Sequence, residues 1–105
     1  PPPPPERPEF LRGDPDGSST VNITDGIFLL NFLFLGGPGP ACAEAGDVDN
    51  SGQINITDGI YVLNFLFLGG PDPFAPGSRE CGSDPDEIGS PGDLGCETPP
   101  GDCVP

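Results

Sequence analysis

Two apolar runs dominate the pattern of the chain. GIFLLNFLFLGGP begins at Gly26 and GIYVLNFLFLGGP at Gly59, 33 residues later. A polar loop precedes each run and Gly-Gly-Pro follows it, the stop signal of a helix that cannot continue. The pattern predicts helices from about Thr24 to Leu35 and from about Thr57 to Leu68. At roughly 17 Å each, they are too short to span a bilayer. On a helical wheel, Phe28, Leu29, Phe32 and Leu33 occupy one side, and Ile27, Leu30, Asn31 and Phe34 the other. The second run repeats this, with Tyr61, Val62, Phe65 and Leu66 against Ile60, Leu63, Asn64 and Phe67. A pair of helices buries only one side of each, so the outer side (Ile27, Leu30, Phe34, Ile60, Leu63 and Phe67) needs a cover. Either the chain's own tail or another molecule can supply it.

The polar loops ahead of the helices are duplicated as well. DVDNSGQINITD, residues 47–58, places Asp47, Asp49, Ser51, Gln53, Asn55 and Asp58 at positions 1, 3, 5, 7, 9 and 12 of a twelve-residue loop. DPDGSSTVNITD, residues 14–25, places Asp14, Asp16, Ser18, Thr20, Asn22 and Asp25 at the same positions. Carboxylates, a hydroxyl and the position-7 carbonyl at this spacing wrap a hard cation such as Ca²⁺, which takes six to eight oxygens. Gly52 supplies the sharp turn at position 6, where the first loop has Ser19 instead. Val21 and Ile54, at position 8, are the apolar plugs that tie each loop to the core. The alternative, turns that are merely solvated and rich in Asp, Gly and Asn, accounts poorly for two copies in register. A 33-residue period also occurs in ankyrin and tetratricopeptide arrays, but their signatures are missing here.

Neither loop has room for a full helix ahead of it, because PEFLRG precedes the first and GGPGPACAEAG the second. Loop plus exiting helix, duplicated, with Asp at position 12, resembles the type I dockerin repeat over about residues 10–70. The resemblance implies a small, mostly α fold. Its two calcium-loop–helix repeats would pack antiparallel with pseudo-twofold symmetry and hold two Ca²⁺ ions. It also implies a cohesin-binding surface near loop positions 10–11, here Ile23-Thr24 and Ile56-Thr57, and along the helix beyond. The outer helix positions are apolar, where cohesin-binding dockerins commonly carry Lys or Arg. That departure bears on partner specificity and leaves the calcium scaffold unaffected.

Charge and composition narrow the function. The 105 residues carry a net charge of −14, with three basic residues, Arg7, Arg12 and Arg79. Nucleic-acid binding and adhesion to anionic lipid are therefore disfavoured. Six of the seventeen acids lie in the two loops. Their mutual repulsion should couple folding to metal uptake. Histidine is absent, which excludes Ser-His-Asp chemistry, and the conspicuous carboxylate pairs are committed as ligands. The expectation is a non-enzymatic module.

Three segments follow. Residues 1–9, PPPPPERPE, read as an extended polyproline arm, either a stiff linker or a docking arm. Residues 10–70 form the duplicated domain. Residues 71–105 show no helical or strand period and read as loop tied by cysteines. The even cysteine count favours an oxidising, extracellular or cell-surface setting, and the missing initiator Met and signal suggest a mature, trimmed or excised product. Cys42, Cys81, Cys96 and Cys103 allow three pairings, of which a local Cys96–Cys103 bridge with Cys42–Cys81 pinning the tail is the expected one. GSDPDE, with Asp84 and Asp86, echoes GDPDG and reads as a turn, with a third ion as the alternative. Asn22-Ile23-Thr24 and Asn55-Ile56-Thr57 match the N-glycosylation pattern, a coincidence if both asparagines serve the loops. Glycan on other residues stays open. The function expected is protein–protein assembly, by self-association into a fibre or surface structure or by anchoring to a cohesin-like receptor.

Overall fold

Each long helix starts on a capping box. Asn22 has extended backbone and its side-chain oxygen accepts from Thr24 N, while the Asp25 carboxylate accepts from Asn22 N. This exchange satisfies amides that the first helical turn leaves open. In the computed structural model, which describes residues 9–85, 92–96 and 103, helix α1 accordingly spans Ile23–Leu35. Asn55 and Asp58 repeat the box at the head of α3, Ile56–Phe67. Gly36 ends α1 in the left-handed region at φ 70°. Gly37 N and Gly70 N both reach back, to Asn31 O and Asn64 O. Both helices begin one residue earlier than the apolar pattern predicts, because the cap is the asparagine and not the residue after it. The second also ends one residue earlier, at Phe67.

Between them lies a single turn, α2, Ala43–Gly46, directly ahead of the second loop. The sequence left room for no full helix there, and one turn is what fits. Ahead of the first loop runs a two-residue strand instead. This strand, β1, Glu9–Phe10, pairs antiparallel with β2, Gly82–Ser83, in the register Glu9 to Ser83 and Phe10 to Gly82. The tail is thus not wholly loop, as expected from its lack of period. Two residues are too few to show a period, and the pairing partner lies more than 70 residues away. Among the described residues the regular structure is mostly helix, with this one small sheet.

Helices α1 and α3 pack on each other through glycine. A Cβ on Gly26 would stand 3.0 Å from Leu63 Cδ2, and one on Gly59 would stand 3.3 Å from Leu30 Cδ2. Glycine inside a helix costs about 1 kcal/mol relative to alanine. Here it opens a notch that the other helix's leucine fills. Leu30 and Leu63, expected on the outer side, are therefore half-buried in the helix contact. Leu29, Val48 and Val62 are fully buried between the helices and the second loop, with Ile54, Tyr61 and Leu66 packed around them. Val21 lies half-buried beside Gly13.

A second cluster joins Phe10, Cys42 and Ala45, with Cys96 against it. The cysteine pairing expected from the sequence is corrected here. The bridges are Cys42–Cys96 and Cys81–Cys103. The reason is an unforeseen alignment of the tail with α2. Glu44 N donates to Gly95 O, and Leu94 N donates to Glu44 Oε2, at 3.0 and 3.1 Å. That lays Cys96 beside Cys42, and Cys81 is left to pair within the tail. Two disulfides suit an oxidising, extracellular-type environment. Among the described residues, no helix is long and apolar enough to cross a membrane.

Candidate metal centres

The first loop folds its acids inward through their own amides. Asp14 Oδ2 accepts from Ser19 N at 2.9 Å, Asp16 Oδ1 from Ser18 N at 3.0 Å, and Asp25 Oδ1 from Asp16 N at 3.4 Å. Ser18 Oγ lies 3.3 Å from Asp14 Oδ1 and 3.1 Å from Thr20 O. One carboxylate oxygen from each of Asp14, Asp16 and Asp25 falls within 4.8 Å of the others. Positions 1, 3, 5, 7 and 12 of the loop are thereby brought together.

The second loop repeats these bonds. Asp47 Oδ2 accepts from Gly52 N at 2.9 Å, Asp49 Oδ1 from Ser51 N at 3.1 Å, and Asp58 Oδ1 from Asp49 N at 3.2 Å. Ser51 Oγ lies 3.4 Å from Asp47 Oδ1 and 3.2 Å from Gln53 O. Asp47, Asp49 and Asp58 again converge within 4.8 Å. Asn22 and Asn55 point their oxygens at the helix N-termini as caps. The Asp25 and Asp58 carboxylates do two jobs at once, closing the capping box and completing the acidic ring.

Burial makes these rings electrostatically costly. Asp14, Asp25, Asp47 and Asp58 are almost wholly removed from solvent. Burial, together with the hydrogen bond and charge of Asp16, pushes the Asp14 carboxyl up to about 6. Burial and the neighbouring Asp16 and Asp14 push Asp25 to about 8. Burial also raises Asp58, to about 7, with Asp49 adding to it. Asp47 rises for the same first reason, but its own loop amides and the Arg12 charge pull against the rise. Burial works upward on Asp16 too, yet the Ser18 amide and hydroxyl win and bring it down to about 2. Buried, mutually repelling carboxylates attract a cation. Each ring offers only oxygen donors, which suits a hard ion over a soft one. These acidic groups could hold a metal ion.

A third acidic group, Glu44, Asp84 and Asp93, also has carboxylate oxygens within 4.8 Å of one another. It differs in having its own cation. Arg12, wholly buried, stands 3.4 Å from both Glu44 Oε1 and Asp84 Oδ1. Burial and the hydrogen bond with Asp84 push Glu44 up to about 8, against the pull of the Leu94 amide and Arg12. Asp86 of the same sequence echo lies outside the described residues, as do residues 1–8 of the proline arm. Sequence reasoning named Arg12 only as one of few basic residues. The signal available was its place two residues ahead of Asp14, next to Phe10, on whose ring it lies at 5.1 Å.

The outer helix side remains largely open. Ile27 and Ile60 are 48% and 47% exposed, and Phe34 and Phe67 are 63% and 61% exposed. Ile23 and Ile56, beside the loops, are exposed as well. The described part of the tail packs elsewhere, against β1, Arg12 and the second loop, with Phe74 N reaching Val48 O and Arg12 N reaching Gly77 O. In comparisons with known proteins, no family model matches the chain, and neither the curated proteins nor the solved structures give a match.

Proposed function

We propose that this chain is a non-enzymatic, calcium-organised module for protein–protein assembly at the cell surface or outside the cell. In this reading the two loop–helix units are repeats packed antiparallel about a pseudo-twofold axis, similar to a type I dockerin pair, and each loop holds one Ca²⁺. The observation that carries it is a matched pair. Two acidic rings with corresponding acid-to-amide bonds each head a helix, and the two helices expose equivalent apolar residues to nearly the same extent. An ion in each ring offsets the carboxylate repulsion and fixes the angle at which each helix leaves its loop. The apolar residues then form the contact surface, and the chain is a subunit of an extracellular fibre or surface structure, binding further copies of itself.

A second reading, a module anchoring a larger exported protein to a cohesin-like receptor, is favoured by the exposure of Ile23 and Ile56 at loop position 10. Light scattering of the purified chain, with Ca²⁺ and then with excess chelator, separates the two. Large particles that disperse on chelation are the outcome expected of self-assembly, and Phe34→Lys with Phe67→Lys should abolish them. A monomer that binds two ions and loosens on chelation would transfer the assignment to the anchoring module. A chain indifferent to chelation would overturn calcium itself.

A further inference from the structure

Arg12 is the largest of the fully buried side chains, at 0% exposure, and the acidic loops alone give no reason for it. Its guanidinium faces two ways. Nη1 donates to Asp47 O at 2.9 Å and Glu44 O at 3.0 Å, the main chain that opens the second loop. Nε donates to Ala75 O at 2.9 Å, and Nη2 reaches Asp84 Oδ1 at 3.4 Å, both on the C-terminal segment. Its own amide binds Gly77 O at 2.8 Å. A guanidinium holds its donors in one rigid plane. The opening of the second loop and the segment around residues 74–84 must therefore be in place together for these bonds to form.

The geometry points to Arg12 as a positioning residue that couples ion occupancy of the second loop to docking of residues 74–84. This rests on the reading of that loop as a calcium site. An ion drawing in the Asp47 carboxylate fixes the Asp47 peptide, whose carbonyl Arg12 holds, and Arg12 passes that order to Ala75 and Asp84. The first loop makes no such link among the described residues. Just ahead of the first loop, Gly13 N donates to Ala45 O at 2.8 Å.

Three roles for Arg12 predict different outcomes. A purely electrostatic role has its positive charge opposing a cation, so removing that charge would tighten binding at the second loop. A purely structural role would weaken both loops alike. Coupling weakens the second loop alone and releases the tail. Tyr61 gives a local probe. It is the one tyrosine in a chain without tryptophan, it follows the second loop in α3, and its hydroxyl donates to Asp72 O at 2.9 Å. Terbium luminescence excited through Tyr61 thus reports the second loop, and amide hydrogen exchange of residues 74–84 reports docking.

For the full oxidised chain, saturating Ca²⁺ should slow exchange at residues 74–84 by at least about tenfold. In Arg12→Lys, which keeps the charge and loses the fork, Tyr61-sensitised terbium affinity should fall roughly tenfold. Residues 74–84 should then exchange at the same rate with and without Ca²⁺. Arg12→Gln should weaken terbium binding in the same direction, against the electrostatic expectation. Two ions bound by the wild type with no change at residues 74–84 would overturn the coupling alone, and needs no variant to fold. Unchanged terbium affinity in Arg12→Lys would overturn it as well. No ion uptake by the wild type would overturn the calcium reading and the coupling with it.

Discussion

The first and second acidic loops reach one geometry from different residues. In both, positions 4 and 6 lie in the left-handed region. The first loop uses Gly17 at φ 71° and Ser19 at φ 72°, the second Asn50 at φ 55° and Gly52 at φ 89°. Glycine has simply changed places with a polar residue. What holds the shape is a set of acid-to-amide bonds common to both, to which the second loop adds Ser51 N to Asp47 Oδ1 at 3.1 Å. The surroundings differ far more than the loops. The second loop rests on α2, has Val48 in the core, and is held at its first carbonyl by Arg12. The first carries Pro15 at the position of Val48. Local hydrogen bonds therefore set the form of each loop, and the rest of the chain sets how firmly it is held.

The largest effect expected is loss of one ion. Asp47→Ala with Asp49→Ala should reduce the calcium stoichiometry measured by calorimetry from two to one and loosen α3. Asp14→Ala with Asp16→Ala should do the same while sparing the second loop. Two ions retained in either variant would remove these acids from the ligand set.

Acidity acts on both loops next. A carboxyl whose folded-state pKa is raised binds protons more readily folded than unfolded. The metal-free chain should therefore gain stability as pH falls from about 8 toward 4, and lose it as pH rises through the raised values of about 6 to 8. Thermal unfolding in chelator should show a rise of roughly 5 °C or more on acidification, about 1 kcal/mol in a domain of this size. Calcium should reverse the trend, because its ligands must be ionised. Both loops contain raised carboxyls, Asp14 and Asp25 in the first and Asp58 in the second, so both should release their ions as pH falls. A metal-free chain more stable at pH 8 than at pH 5 would contradict this.

The smallest effect lies at position 6. Ser19→Gly removes a left-handed non-glycine residue and should stabilise the first loop by about 1 kcal/mol; Gly52→Ser should cost the second loop about as much. Denaturant midpoints read both. Equal and opposite shifts would show the two loops to be interchangeable at this position. A much larger loss for Gly52→Ser would show that the firmer surroundings of the second loop leave less room to adjust.

Much of this was legible along the chain. The apolar runs marked both helices to within a residue, and Gly36-Gly37 and Gly69-Gly70 marked their ends. The loop spacing placed the acids that the fold brings together. The asparagines were legible as loop residues but not as caps, since one Asx pattern serves both roles. The pairing of the cysteines was not legible. Short separation in sequence favoured Cys96–Cys103, whereas the bonds of residues 94–95 to Glu44 placed Cys96 at Cys42.

The division follows from range. Helices, stops and acidic loops depend on residues within about a dozen positions of one another, so the order of amino acids was enough to determine them. The β1–β2 pair, the filling of Gly26 and Gly59 by leucines of the other helix, the disulfide partners and the burial of Arg12 were decided by the tertiary structure. Each depends on segments about 20 to 75 residues apart, and no local pattern records which surfaces meet once the chain has closed on itself.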